Sequence, residues 1–165
     1  MPQYPVALVE RHILDRAHRT LERVLARLES TAEVAGTLGA PELVGMVHAL
    51  LDDVDATLRD HMAWEEQVCY PETDRLAATP SATQLLRLQH DQIRRLLDQL
   101  RADDLGRAGP HQRAVTELRG QLYALHAILG SHLEQEERAL LGLLVAEPAA
   151  PRADGLDEVE PGPGR

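Results

Sequence analysis

The sequence predicts an all-α protein folded as an antiparallel up-down four-helix bundle, on three observations. Leu, Ala and Val supply nearly all the apolar mass of a 165-residue chain that has no Phe, one Trp and three Tyr, and that mix favours helices over sheets. Leucines recur at intervals of three and four in four separate stretches, the period of a helix with one apolar face. Gly- and Pro-containing connections of roughly ten residues separate the stretches, so each narrow seam is buried against two neighbours.

The first helix spans about Val9 to Glu29, with Leu14, His18, Leu21, Leu25 and Leu28 on its inner face. Gly36 and Gly39 end that segment. Pro41 stands where a first helical residue needs no N–H donor, ahead of Leu43, Val47, Leu50, Val54, Leu58, His61, Glu65 and Val68. The second helix is expected to stop before Pro71, and a connection follows to Pro80. Ser81 is the expected cap of a third helix whose inward positions are Leu86, His90, Ile93, Leu97 and Leu100. Gly106, Gly109 and Pro110 close it off. The fourth helix keeps the three-four alternation for about four heptads through Val115, Leu118, Leu122, Leu125, Leu129, His132, Glu136, Leu140 and Leu143. Beyond Ala146 the chain turns acidic and rich in Pro and Gly without apolar periodicity, which predicts one domain over residues 1–146 and a disordered tail over 147–165.

Bulk properties exclude several classes of function. The formal charge of −10, with a pI near 5.2 and no separate Lys/Arg cluster, repels a phosphate backbone or an anionic lipid surface. Cys69 is the only cysteine, which excludes an internal disulfide and any thiolate cluster, and permits a reducing cytoplasm. The longest apolar stretch, Ala139 to Ala146, is broken by Gly142 and too short to span a bilayer. A soluble cytoplasmic protein without nucleic-acid or membrane partners is expected. There is also no His-Glu-x-x-His string, Gly-rich phosphate loop or Gly-x-Ser-x-Gly elbow.

What remains is a conflict within the seams. His18, His61, Glu65, His90, His132 and Glu136 occupy positions that the pattern otherwise fills with leucine, where each is costly if left unpaired. Residues four apart lie on one helix face one turn apart, so His61 with Glu65 and His132 with Glu136 each present an imidazole and a carboxylate to the same point. Any one histidine on an apolar face is more often a hydrogen-bonded core residue than a ligand. Six such groups in one core are hard to satisfy without metal. Four imidazoles and two carboxylates form a nitrogen and oxygen set that suits iron and also accepts manganese or zinc.

The strings Ala17-His18-Arg19, His61-Met62-Ala63-Trp64-Glu65-Glu66 with Tyr70-Pro71, His90-Asp91, and His132-Leu133-Glu134-Gln135-Glu136-Glu137 resemble the hemerythrin-like (HHE) family over about Val9 to Leu144. The resemblance implies two iron ions bridged by Glu65 and Glu136, with His18, His61, His90 and His132 as terminal ligands and an oxo or hydroxo group between the metals. It further implies oxygen, peroxide or nitric oxide as the small-molecule ligand. The oxygen-carrying members place a second histidine four residues after the ligand of the third helix, where this chain has Arg94. They also use an aspartate five residues after the histidine of the fourth helix. Fewer imidazoles and a nearby cation alter potential and affinity, which moves the expectation from oxygen transport toward sensing or buffering of an oxidant. An enzyme that decomposes peroxide or reduces nitric oxide, and a metal-responsive regulatory module, are the alternative readings.

The remaining polar and aromatic residues have ordinary expected tasks. Glu66 and Glu137 rotate about 100° off the ligating face and are expected as surface acids. His12, His48, His111 and His126 fall off the seam. Cys69 is expected as apolar filler, and Trp64, Tyr70 and Tyr123 as volume near the bundle ends.

Overall fold

The computed structural model describes residues 6–102 and 112–144, with side chains omitted at 6–15, 40, 112 and 140–144. The proposed tail, Leu14, Leu140, Leu143 and the Gly106–Pro110 stop therefore lie outside what is described. The helices are α1 (Val6–Val34), α2 (Ala40–Trp64), α3 (Tyr70–Leu76), α4 (Gln84–Ala102) and α5 (Gln112–Leu144), and there is no strand among the described residues. The four long helices form a ring of contacts, α1 against α2 and α5, and α4 against α2 and α5.

The leucine seams make the core. Leu21 and Leu28 of α1, Leu43, Val47, Leu50, Val54 and Leu58 of α2, Ile93, Leu97 and Leu100 of α4, and Val115, Leu118, Leu122, Leu125 and Leu129 of α5 are all buried in one cluster. The expected seams hold at these positions, because a three-four repeat puts one face of each helix toward its neighbours. At the start of α2, Gly39 is the cap and Pro41 lies in the first turn, with the Glu42 carboxylate accepting the Gly39 N–H at 3.3 Å.

The end of the second helix departs from the sequence expectation. It does not stop before Pro71; a π-helical turn over Glu65–Cys69 joins α2 to α3, and the Tyr70 N–H donates to the Glu65 carbonyl five residues back. Proline in a helix lacks a donor and crowds the preceding turn, and a wider turn immediately before Pro71 absorbs both defects while the axis continues. The extra residue shifts the register, so Val68 is exposed and Cys69 is buried in its place. Cys69 packs with Tyr70 and Leu86, with Trp64 against them, as an apolar filler.

Ser81 does not cap the third long helix. Its hydroxyl pairs with that of Thr79, and Thr83 stands directly before α4, its N–H and hydroxyl both donating to Asp74 Oδ1 at 2.9 and 3.1 Å. Asp74 sits in α3, so this clamp ties the short helix to the start of α4. Between them, α3 closes with Ala78 in the left-handed region, φ 51°. The Ala78 N–H donates to Arg75 O and the Thr79 N–H to Asp74 O, a closure that normally takes glycine. A Cβ in that region costs about 1 kcal/mol. Ala78→Gly is expected to raise the melting temperature by about 2–4 °C in a thermal melt, and a lower value would contradict this account of the turn.

Candidate metal centre

All six seam-breaking residues come together. α1 supplies His18, α2 His61, the π turn Glu65, α4 His90, and α5 His132 and Glu136; every one is buried, none more than 8% exposed. They form two groups whose donor atoms lie within 4.8 Å of one another: His18, His61, Glu65 and Glu136 in one, and Glu65, His90 and His132 in the other. Glu65 belongs to both. Its Oε1 is 2.7 Å from His61 Nε2 and its Oε2 is 3.2 Å from His90 Nε2. Glu136 Oε2 lies 3.2 Å from His18 Nε2 and 3.6 Å from His132 Nε2. His90 and His132 bring their Nε2 atoms to 3.2 Å of each other.

This convergence is poorly satisfied by hydrogen bonds. His61 Nε2, both Glu65 oxygens and Glu136 Oε1 are buried without a hydrogen-bond partner, although His61 and Glu65 approach to 2.7 Å. Lone pairs that crowd one point without a shared proton carry a substantial desolvation cost, and a cation between them removes it. Burial pushes the Glu65 carboxyl up, reinforced by the neighbouring Glu136. Burial also raises Glu136, but the His18 hydrogen bond and the charges of His132 and His18 outweigh it and hold that carboxyl low. Burial depresses His61 and His132 to about 4, so both are neutral at neutral pH with a lone pair available. Burial lowers His18 too, yet Glu136 and Glu137 leave it raised overall.

The far ring nitrogens face oxygens. His90 Nδ1 donates to Glu66 Oε1 at 2.7 Å and His132 Nδ1 to Gln89 Oε1 at 3.3 Å, while Glu137 Oε1 stands 3.5 Å from His18 Nδ1. Such partners fix the ring and direct Nε2 inward, the arrangement common behind metal-bound histidines. Glu66 is therefore not the free surface acid expected of it. Glu137 remains largely exposed, and Glu136 is the carboxylate of α5 that points in. Arg94 does not stand over the cluster as a free cation; its guanidinium pairs with Glu66 at 2.7 Å and Asp91 at 3.3 Å.

Tyr70 does more than fill volume. It is fully buried, its hydroxyl donates to His90 Nε2 at 3.1 Å, and its ring stacks on that imidazole at 5.4 Å. Burial, with the Glu136 and Glu65 charges, pushes its phenol far up, so it stays a neutral donor. On a regular helix Tyr70 would be rotated about 140° from Glu65; the π turn brings both to one face. No periodicity signals Tyr70 or Gln89, and Pro71 within a helical stretch is the single sequence mark of the irregular turn. His48 is exposed and His126 half-buried, outside both groups; the side chains of His12 and His111 lie outside the described residues. Tyr123 is exposed. A groove of about 530 Å³ between α1 and α2, lined by Arg16, Ala17, Thr20, Leu21, Thr57, Asp60, His61 and Trp64, reaches the first group at His61.

Fold and site together define a class: a helical bundle with a buried histidine and carboxylate cation centre in its core. The chain belongs to the hemerythrin HHE cation-binding domain family, whose family model matches residues 9–144. Searches of curated proteins and of solved structures each returned no significant match. The donor set is the nitrogen and oxygen mixture that such a cation takes, and no described helix is long and apolar enough to cross a membrane.

Proposed function

We propose that this chain holds two iron ions in an antiparallel up-down bundle and binds oxygen, or a related oxidant such as peroxide or nitric oxide, in order to sense or buffer it. The observation that carries the reading is Glu65, with one carboxylate oxygen in each donor group. His18 and His61 would complete the first position and His90 and His132 the second, with Glu136, 3.2 Å from His18 Nε2 and 3.6 Å from His132 Nε2, as a further carboxylate between them. Iron supplies redox-active, incompletely filled coordination that these side chains cannot provide. The protein's own part is to keep His61 and His132 neutral by burial, to aim His90 and His132 from behind with Glu66 and Gln89, and to offer the Tyr70 hydroxyl as a donor beside His90. The groove ending at His61 gives a small molecule a route to the first position.

With Arg94 committed to Glu66 and Asp91, the enzyme reading loses the free cation that favoured it, and binding or sensing stands ahead. Elemental analysis of the purified protein, with optical spectra after anaerobic reduction and then after separate additions of oxygen, peroxide and nitric oxide, is the test. Two irons per chain and a near-ultraviolet band that appears on oxygenation are expected. One metal per chain, a redox-inert metal, or a spectrum indifferent to all three oxidants would refute the proposal.

A further inference from the structure

The two donor groups are built unequally. Four side chains converge at the first, whereas at the second Glu65, His90 and His132 converge, with Glu65 shared and Glu136 Oε2 nearer His18, at 3.2 Å, than His132, at 3.6 Å. Retention of a cation at the second position therefore leans on His90 and His132, and how well each is oriented and polarised matters there.

Of the oxygens behind the histidines, Glu66 makes the shortest contact, 2.7 Å to His90 Nδ1, against 3.3 Å for Gln89 on His132 and 3.5 Å for Glu137 on His18. Among the described residues it is also the one braced by a cation. The same Glu66 Oε1 accepts from Arg94 Nη2 at 2.7 Å, and Arg94 follows His90 by one turn of α4. Both donors to Glu66 thus come from one rigid helix, while Glu66 itself sits in the π turn beside Glu65. The carboxylate locks the π turn to α4 at the level of His90. Because an outer carboxylate raises the basicity of a ligating imidazole and fixes its tautomer, its effect falls on the second position.

We infer that Glu66, held by Arg94, is a positioning residue that sets cation retention at the Glu65, His90 and His132 position, and that this position is the one lost first when the pair is broken. The inference rests on the two-metal reading proposed above. Glu66 and Arg94 are part-exposed and line a cleft of about 330 Å³ between α2 and α4, so replacing either leaves the leucine core intact.

The experiment is an anaerobic ferrous-ion titration of metal-free protein, with bound metal counted after equilibration against chelators of graded strength. Wild type is expected to hold two ions. Glu66→Ala is expected to weaken one of them by about 10- to 100-fold and leave the other unchanged. Glu66→Gln, which keeps an acceptor for His90 but loses the charge, should fall between wild type and Glu66→Ala, and Arg94→Met should show a smaller loss at the same single position. Circular dichroism and melting of the metal-free forms accompany the titration, since a purely structural role would change these and weaken both ions alike. Equal weakening of both ions, or two ions held by Glu66→Ala at wild-type affinity, would overturn this inference alone. A wild-type chain that takes up no ferrous ion would instead overturn the metal reading beneath it.

Discussion

On the two-ion proposal, Glu65→Leu is expected to abolish uptake at both positions while making the metal-free protein more stable. The two halves of that result have one cause. Glu65 is fully buried, its oxygens lack hydrogen-bond partners, and each faces a different donor group. A leucine of similar volume deletes a donor from both positions at once. It also removes a buried carboxyl whose desolvation outweighs its attraction to His90 in the metal-free core, which is worth about 1–3 kcal/mol. His132→Ala differs in kind, because His132 belongs to the second group only; one ion should remain. Metal counting and denaturant unfolding of the metal-free forms separate these outcomes. A Glu65→Leu protein that still carried two ions would sink the bridging role.

Removing the metal should lower the melting temperature by about 10 °C or more. A ligand that binds only the native state at a thousand times its dissociation constant contributes about 4 kcal/mol, and for a chain of this size each kcal/mol moves the midpoint by about 2–4 °C. Four helices contribute donors to the two groups, so ions held at both would together join α1, α2, α4 and α5 and relieve the repulsion of two adjacent buried carboxylates. The comparison is a thermal melt of chelator-treated protein against the same sample reloaded with ferrous ion. Coincident midpoints would mean that the native bundle does not bind the ion, and would also remove any role for metal occupancy as a regulatory signal.

Some of this was legible in the residues. The leucine repeats gave the inner faces of all four long helices, because a regular helix converts a three-four spacing into one buried stripe. The same arithmetic marked His18, His61, Glu65, His90, His132 and Glu136 as polar groups on buried faces, and the structure brings them into two groups sharing Glu65. Where the helix is not regular, the arithmetic fails: Val68 falls on the inward repeat but is exposed, and the helix runs past Pro71 to Leu76. At the start of α4, Thr83 bound to Asp74 stands in the place that local sequence offers to Ser81.

The chain itself determined which faces are buried and which polar residues interrupt them, since both follow from local periodicity and the cost of burying an unpaired charge. Only the tertiary structure decided which oxygen faces which histidine. One added residue in the π turn sets Tyr70 on the face of Glu65 and lets Glu66 reach His90 and Arg94 across to α4. Those pairings depend on backbone hydrogen bonds shifted by one residue and on the approach of a helix twenty or more positions away. No spacing within either helix encodes them.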